Sequence, residues 1–155
     1  MLSSPPPTQA DLAEMSQVRQ VVSELQSKEK KVDCIVCNAG VLLNDRKLSS
    51  EGNELTFASH LLGGSFLLSN LLLPQLKASG DGRVIFVSSA GMYNYKFPDW
   101  EMATSTGEMA EKYDGQFAYT YAKRGKCGLC ILTDEYFAVS NTIVLNQKVS
   151  CKCQL

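Results

Sequence analysis

Residues 32–40 read Val32-Asp33-Cys34-Ile35-Val36-Cys37-Asn38-Ala39-Gly40. The run is apolar at almost every position and stops on a polar residue and a glycine. An antiparallel strand facing water on one side would alternate; near-continuous apolar character marks a strand buried on both faces, as in a parallel sheet. It predicts a strand over 32–37. Residues 83–89, Arg83-Val84-Ile85-Phe86-Val87-Ser88-Ser89, have the same form and predict a second strand over 83–88.

The sequence around these strands is helical. Leu12, Met15, Val18, Val22 and Leu25 recur at helical spacing and predict an amphipathic helix over 12–28. Asp11-Leu12-Ala13-Glu14 has the form of a capping box at its start, and Lys28-Glu29-Lys30-Lys31 closes it. After a polar loop over 41–50, a long helix is predicted over 51–77. Gly63-Gly64 weakens it by about 1 kcal/mol per glycine relative to Ala, and Pro74 is placed to kink it. Residues 78–82 form a turn. A loop over 90–116, a helix over 119–139 and a third strand over 142–145 complete the reading. Helices alternating with strands are the pattern of an α/β fold with a parallel sheet, joined by right-handed crossovers. Such sheets bind ligands at the carboxyl ends of their strands, where Asn38 and Ser89 both fall.

Composition narrows the function classes. Of the 155 residues 45% are hydrophobic and 20% charged, which suits a globular domain with a buried core. A net charge of -1 provides no long-range attraction for nucleic acid or an anionic surface, so no nucleic-acid partner is expected. The longest apolar candidate, 66–76, is interrupted by Ser69, Asn70 and Pro74 and falls short of the roughly 18 residues of a membrane span. Residues 1–10 carry Pro5, Pro6 and Pro7 and no basic start. They read as a disordered lead-in rather than a secretory signal, and a cytoplasmic protein is expected.

Six cysteines include the pairs Cys34/Cys37 and Cys127/Cys130. On a strand an offset of three sends Cys34 and Cys37 to opposite faces, so they cannot share an ion. Cys127 and Cys130 share a helix face, but a closed zinc site needs four ligands. No metal is expected. Cys151 and Cys153 lie in a polar tail and read as thiols in a reducing compartment.

The chemistry-bearing stretch is Tyr119-Thr120-Tyr121-Ala122-Lys123. Tyr119 and Lys123, four apart, lie on one helix face. A phenol titrates near 10, and a nearby ammonium favours its ionised form. A hydroxyl that holds the substrate oxygen completes a general acid–base site for a carbonyl/alcohol pair, and Ser89 at the strand tip can supply one. Tyr121, beside them, reads as a packing residue.

Taken in order, Asp11-Leu12, Cys37-Asn38-Ala39-Gly40, Leu73-Pro74, the 83–89 strand with its serine pair and Tyr119 to Lys123 resemble the short-chain dehydrogenase/reductase family of classical type, over residues 11 to about 138. The start at Phe57-Ala58, the stretch 88–92 and the long loop after it look closest to one orphan subgroup of that family. The resemblance implies a partial Rossmann-like doubly wound parallel sheet lacking the first βαβ unit, with NAD or NADP as cofactor and a small-molecule carbonyl or alcohol as substrate. Tyr119 would then be the catalytic acid/base. Lys123 would favour its phenolate and bond the nicotinamide ribose. Ser89, in preference to Ser88, would orient the carbonyl. Asn38, Ala39 and Gly40 would line the cofactor, and Asp11 would contact the adenine. Met92, Tyr93, Tyr95 and Trp100 lie where the family has a substrate loop, though exposed loop aromatics serve equally.

Three departures from the family pattern qualify that expectation. The Thr-Gly-x-x-x-Gly-x-Gly turn that cradles the cofactor pyrophosphate at a helix N-terminus does not occur in these residues. The family's active-site Asn on the long helix is replaced by His60, the one histidine, read either as catalytic or as a half-buried residue bonded to backbone. Beyond residue 138 the resemblance fades. The expected organisation is therefore a lead-in over 1–10, the catalytic half of an NAD(P)-binding domain over 11–140 and a divergent tail over 141–155. A truncated product of this kind would bind its cofactor weakly and have reason to form a homo-oligomer or pair with a full-length relative.

Overall fold

The computed structural model describes residues 9–93, 112–132 and 137–140. The described residues form a sheet of three strands: β1 (Cys34–Cys37), β2 (Arg83–Val87) and β3 (Phe137–Ser140), in the order β1-β2-β3. Both pairings are parallel, with Cys34 opposite Arg83 and Val84 opposite Phe137. The two strands read from the sequence are where they were expected. The third is not: 137–140 overlaps the last residues of the predicted 119–139 helix, and the expected strand at 142–145 lies outside the described residues, as does most of the lead-in. A short apolar run is ambiguous between buried strand and buried helix, and here a sheet edge was available to it.

Helix α1 (Met15–Lys28) precedes β1. The predicted capping box does not form. The Asp11 carboxylate accepts from Ala13 N–H within a turn, at 2.9 Å, and the helix starts at Met15, three residues later than predicted. Its first free amides are taken by a residue distant in sequence: Met15 and Ser16 donate to the Glu51 carboxylate at 3.2 and 2.9 Å. The hydrogen bond donated by Ser16 N–H holds the Glu51 carboxyl below its ordinary range. Glu14 reaches back to Ser50, through its amide and its hydroxyl.

The long helix starts at Leu55, not at 51, because the Glu54 carboxylate accepts from Thr56 and Phe57 N–H at 2.9 and 2.7 Å. Its winding also departs from expectation. After α2 (Leu55–Phe57), residues Ala58–Leu67 form a π-helix, followed by α3 (Leu68–Leu71) and α4 (Leu73–Ser79). The π segment surrounds the Gly63-Gly64 pair. A Cβ at Gly63 would lie 2.1 Å from the Leu12 carbonyl oxygen, so the lead into α1 crosses here at backbone distance. Ser65 donates to the His60 carbonyl, five residues back, at 2.6 Å. Ahead of Pro74, which brings no N–H, the axis bends by 52°. No single described helix is long and apolar enough to cross a membrane.

Helix α5 (Gly115–Leu132) follows β2 and a 3₁₀ turn (Ala90–Tyr93). It begins before Tyr119 because Asp114 accepts from Phe117 N–H at 3.1 Å. Ile35 and Cys37 of β1 and Val84 and Phe86 of β2 pack with Val22, Leu72 and Leu76, and Leu129 of α5 packs against this cluster. All the helices touching the sheet therefore cover one face. On the other face Cys34 is exposed and Val36 is 57% exposed, so the described residues give one covered face where a doubly wound sheet has two. Cys34 and Cys37 do face opposite ways, as their spacing required.

Candidate active site

Tyr119, Lys123 and Lys126 stand on one face of α5, four and then three residues apart. This face meets the carboxyl ends of β1 and β2. The Lys123 amine lies 5.5 Å from the centroid of the Tyr119 ring and donates to the Val87 carbonyl, the last of β2, at 2.9 Å. Lys123 is buried, and desolvation lowers its pKa.

His60 approaches the same tyrosine from the π-helix. Its ring is wholly buried, edge-on to Tyr119 with centroids 5.4 Å apart. Nε2 sits 2.5 Å from the Val41 amide nitrogen and 2.8 Å from the Val41 carbonyl oxygen. Nδ1 has no hydrogen-bond partner among the described residues. Burial pushes the imidazole down to about 4, so it is neutral near pH 7. The ring also lies against Gly40, where a Cβ would come 2.3 Å from Cε1. Gly40 is needed for this contact, and the Asn38-Ala39-Gly40 turn rests on His60 with its own residues exposed.

The two serines differ in their surroundings. Ser88 is buried and spends its hydroxyl on the Lys123 carbonyl, at 2.8 Å. Ser89 is half-buried, and its Oγ accepts from Gly91 N–H at 3.3 Å, leaving its own proton for another acceptor. Gly91 lies against Thr120, next to Tyr119 in α5. Asp11 is not part of this cluster: it lies exposed along a groove between α1 and the free edge of β1, with Leu12, Leu25 and Val36. Met92 is buried beside Ser88 and Cys127, while Tyr93 is 73% exposed. Tyr95 and Trp100 lie outside the described residues. Tyr121 packs at 6.3 Å from Phe57.

Lys126 was missed in the sequence. It is fully buried, and its amine donates to the Cys37 carbonyl at 2.9 Å. Burial and the Lys123 charge bring it down to about 8. The available signal was a lysine seven residues after Tyr119, on the face that otherwise turns inward.

The arrangement offers a phenol beside an ammonium, a hydroxyl on the next strand tip that donates to no described residue, and an open glycine-bearing turn. Comparison with known proteins bears on the family and the fold. The family model described as short chain dehydrogenase matches residues 6–102. Retinol dehydrogenase 13 of Mus musculus is 35% identical over 117 residues, 73% of this chain and 32% of that protein. Dehydrogenase/reductase SDR family member 12 of Homo sapiens, the orphan subgroup expected from Phe57-Ala58 and 88–92, is 32% identical over 114 residues, 74% of this chain and 34% of that one, so the similarity supports the family without singling out that subgroup. The chain thus spans about a third of the length of these curated relatives. A metagenomic short-chain oxidoreductase solved in complex with NADP superposes with a TM-score of 0.57 at 23% identity, covering 84% of this chain and 54% of that one, a likeness of fold.

Proposed function

The chain belongs to the short-chain dehydrogenase family, and from that premise we propose that it carries the acid–base half of an NAD(P)-dependent oxidoreductase acting on a small carbonyl or alcohol. The observation that carries this reading is the Lys123 amine held 5.5 Å from the Tyr119 ring centroid above two parallel strand tips.

The nicotinamide group, when bound, supplies or takes up hydride at the substrate carbon. The chain's own residues handle the proton. In the reducing direction Tyr119 gives its phenolic proton to the carbonyl oxygen, and the Lys123 ammonium stabilises the anion left behind. The Ser89 hydroxyl donates to the same oxygen and orients it. His60, neutral at pH 7, acts by position: it braces the Tyr119 ring and the turn that would take the nicotinamide ribose. Asn38, Ala39 and Gly40 fit that half of the cofactor, being exposed at the carboxyl end of β1, and Gly40 has no side chain to block approach. The adenine half fits less well. Asp11 lies along the β1 edge with its carboxylate engaged by Ala13, and no glycine-rich turn is present to hold the pyrophosphate.

These 155 residues should therefore bind cofactor weakly and turn over slowly at millimolar NADPH. Against a panel of small aldehydes and ketones, turnover should fall at least 100-fold in Tyr119→Phe, the scale of a lost general acid. Wild-type turnover no faster than Tyr119→Phe would sink the assignment, and micromolar NADPH binding by calorimetry would sink the weak-binding part of it.

A second reading is favoured by the sheet face and the β1 edge that no described residue covers. There the chain is a non-catalytic partner of a full-length relative. Under that reading it co-purifies with such a relative and shows no Tyr119-dependent turnover.

A further inference from the structure

Two lysines of α5 perform the same act on neighbouring strands. Lys123 donates to the carbonyl of Val87, the last residue of β2, and Lys126 donates to the carbonyl of Cys37, the last residue of β1, both at 2.9 Å. Each bonded carbonyl immediately precedes a turn assigned to the site: Ser88-Ser89 after Val87, and Asn38-Ala39-Gly40 after Cys37. We propose that Lys126 is a positioning residue, a second strand-end clamp that fixes the Asn38–Gly40 turn relative to Tyr119 and Ser89.

The energetic argument starts from burial. Lys126 is among the largest fully buried side chains. Taking an ammonium out of water is costly, and a well-packed apolar side chain of similar volume usually serves a core as well or better. Packing alone therefore does not account for a lysine here. A flexible four-carbon stem ending in three donors does suit a carbonyl at the far end of the helix–sheet interface. The depressed pKa agrees with this setting, and the clamp does not depend on charge, since a neutral amine still donates. Around it stand the Lys123 ammonium on α5, the Cys37 thiol on β1 and His60 on the π-helix. The thiol is raised to about 11 by burial and stays protonated. The clamp complements the reach of His60 beneath Gly40: His60 supports the turn from one side, and Lys126 anchors the residue before it.

The cofactor arm of the test rests on the function proposed above; the backbone arm does not. In the wild-type chain, NMR should show a slowly exchanging Lys126 ammonium with a through-hydrogen-bond coupling to the Cys37 carbonyl carbon. A rapidly exchanging ammonium without that coupling overturns the proposal, whether or not any variant folds. In Lys126→Met, amide exchange at 38–41 should speed up roughly tenfold or more, the equivalent of about 1.4 kcal/mol, with exchange at 88–91 little changed and Lys126→Arg restoring part of the protection. Uniform acceleration across the sheet would mark a merely structural role and overturn it. Where turnover is measurable, Lys126→Met should raise the cofactor KM more than it lowers kcat, and the reverse split also overturns it. A wild-type chain without cofactor binding or turnover removes the oxidoreductase reading while the exchange and coupling measurements still decide the clamp.

Discussion

His60 is a buried base whose pKa of about 4 lies well below its ordinary 6.5. The unfolded chain therefore binds more protons than the folded one between these values, and stability rises with pH across that interval. The sign is that of a neutral group which must be charged to unfold. Its contribution is full above pH 6.5, is lost as pH falls towards 4, and amounts to about 3 kcal/mol at 1.36 kcal/mol per unit. Denaturant melts at pH 7, 5.5 and 4.5 should show this loss in wild type and a flatter profile in His60→Asn. Identical profiles would mean that His60 does not carry the dependence. At this scale the sequence was informative wherever chemistry coincided with spacing. Tyr119 and Lys123 could be put on one helix face from their offset alone, whereas the preference for Ser89 over Ser88 came from the family resemblance. Lys126 could not be found that way, because an isolated lysine on a helix is ordinarily a solvated one, and only the packed structure shows where its amine goes.

Among the elements, the strands β1 and β2 and most of α1 were legible because apolar runs and helical periodicity are strong local signals. The helix starts were not, since two of them depend on partners distant in sequence or on a competing cap: Glu51 serves α1, and Glu54 serves α2. The π-helix was hidden by its own composition. With apolar residues on nearly every side from Ala58 to Leu67, periodicity could not distinguish α from π winding. This stretch is longer than the single-turn bulge in which π geometry usually occurs. Each π turn takes in roughly one residue more than an α turn, so removal of Gly64 should return a turn to α winding and keep the flanking residues in phase. The deletion variant should melt no lower than the parent and keep its helical circular dichroism. A loss of more than about 2 kcal/mol, large on the scale of single changes, would show that π winding is required for the fold.

For the whole molecule, the parallel α/β architecture followed from the order of elements, and the sheet has that sense throughout. Two-sided coverage did not follow. The apolar character of β1 and β2 announces burial on both faces, yet helices cover only the face of Ile35, Cys37, Val84 and Phe86 among the described residues. An exposed apolar face next to an unpaired strand edge favours association with another chain. Val36→Lys, on that uncovered face, should shift the protein towards a 17.0 kDa monomer by light scattering, at a stability cost within about 0.5 kcal/mol, as for other surface changes. An unchanged mass distribution would place the self-associating surface elsewhere.

Parallel pairing also bears on how the chain is made. β1 and β2 are not joined as a hairpin, and the described ladder partner of β1 lies about fifty residues downstream in β2, which waits a similar distance for β3. Contacts of such long range slow folding. At synthesis rates of about 5–20 residues per second, β1 leaves the ribosome some 3–10 s before the strand that completes its inner edge, an interval in which a nascent-chain chaperone has time to bind it.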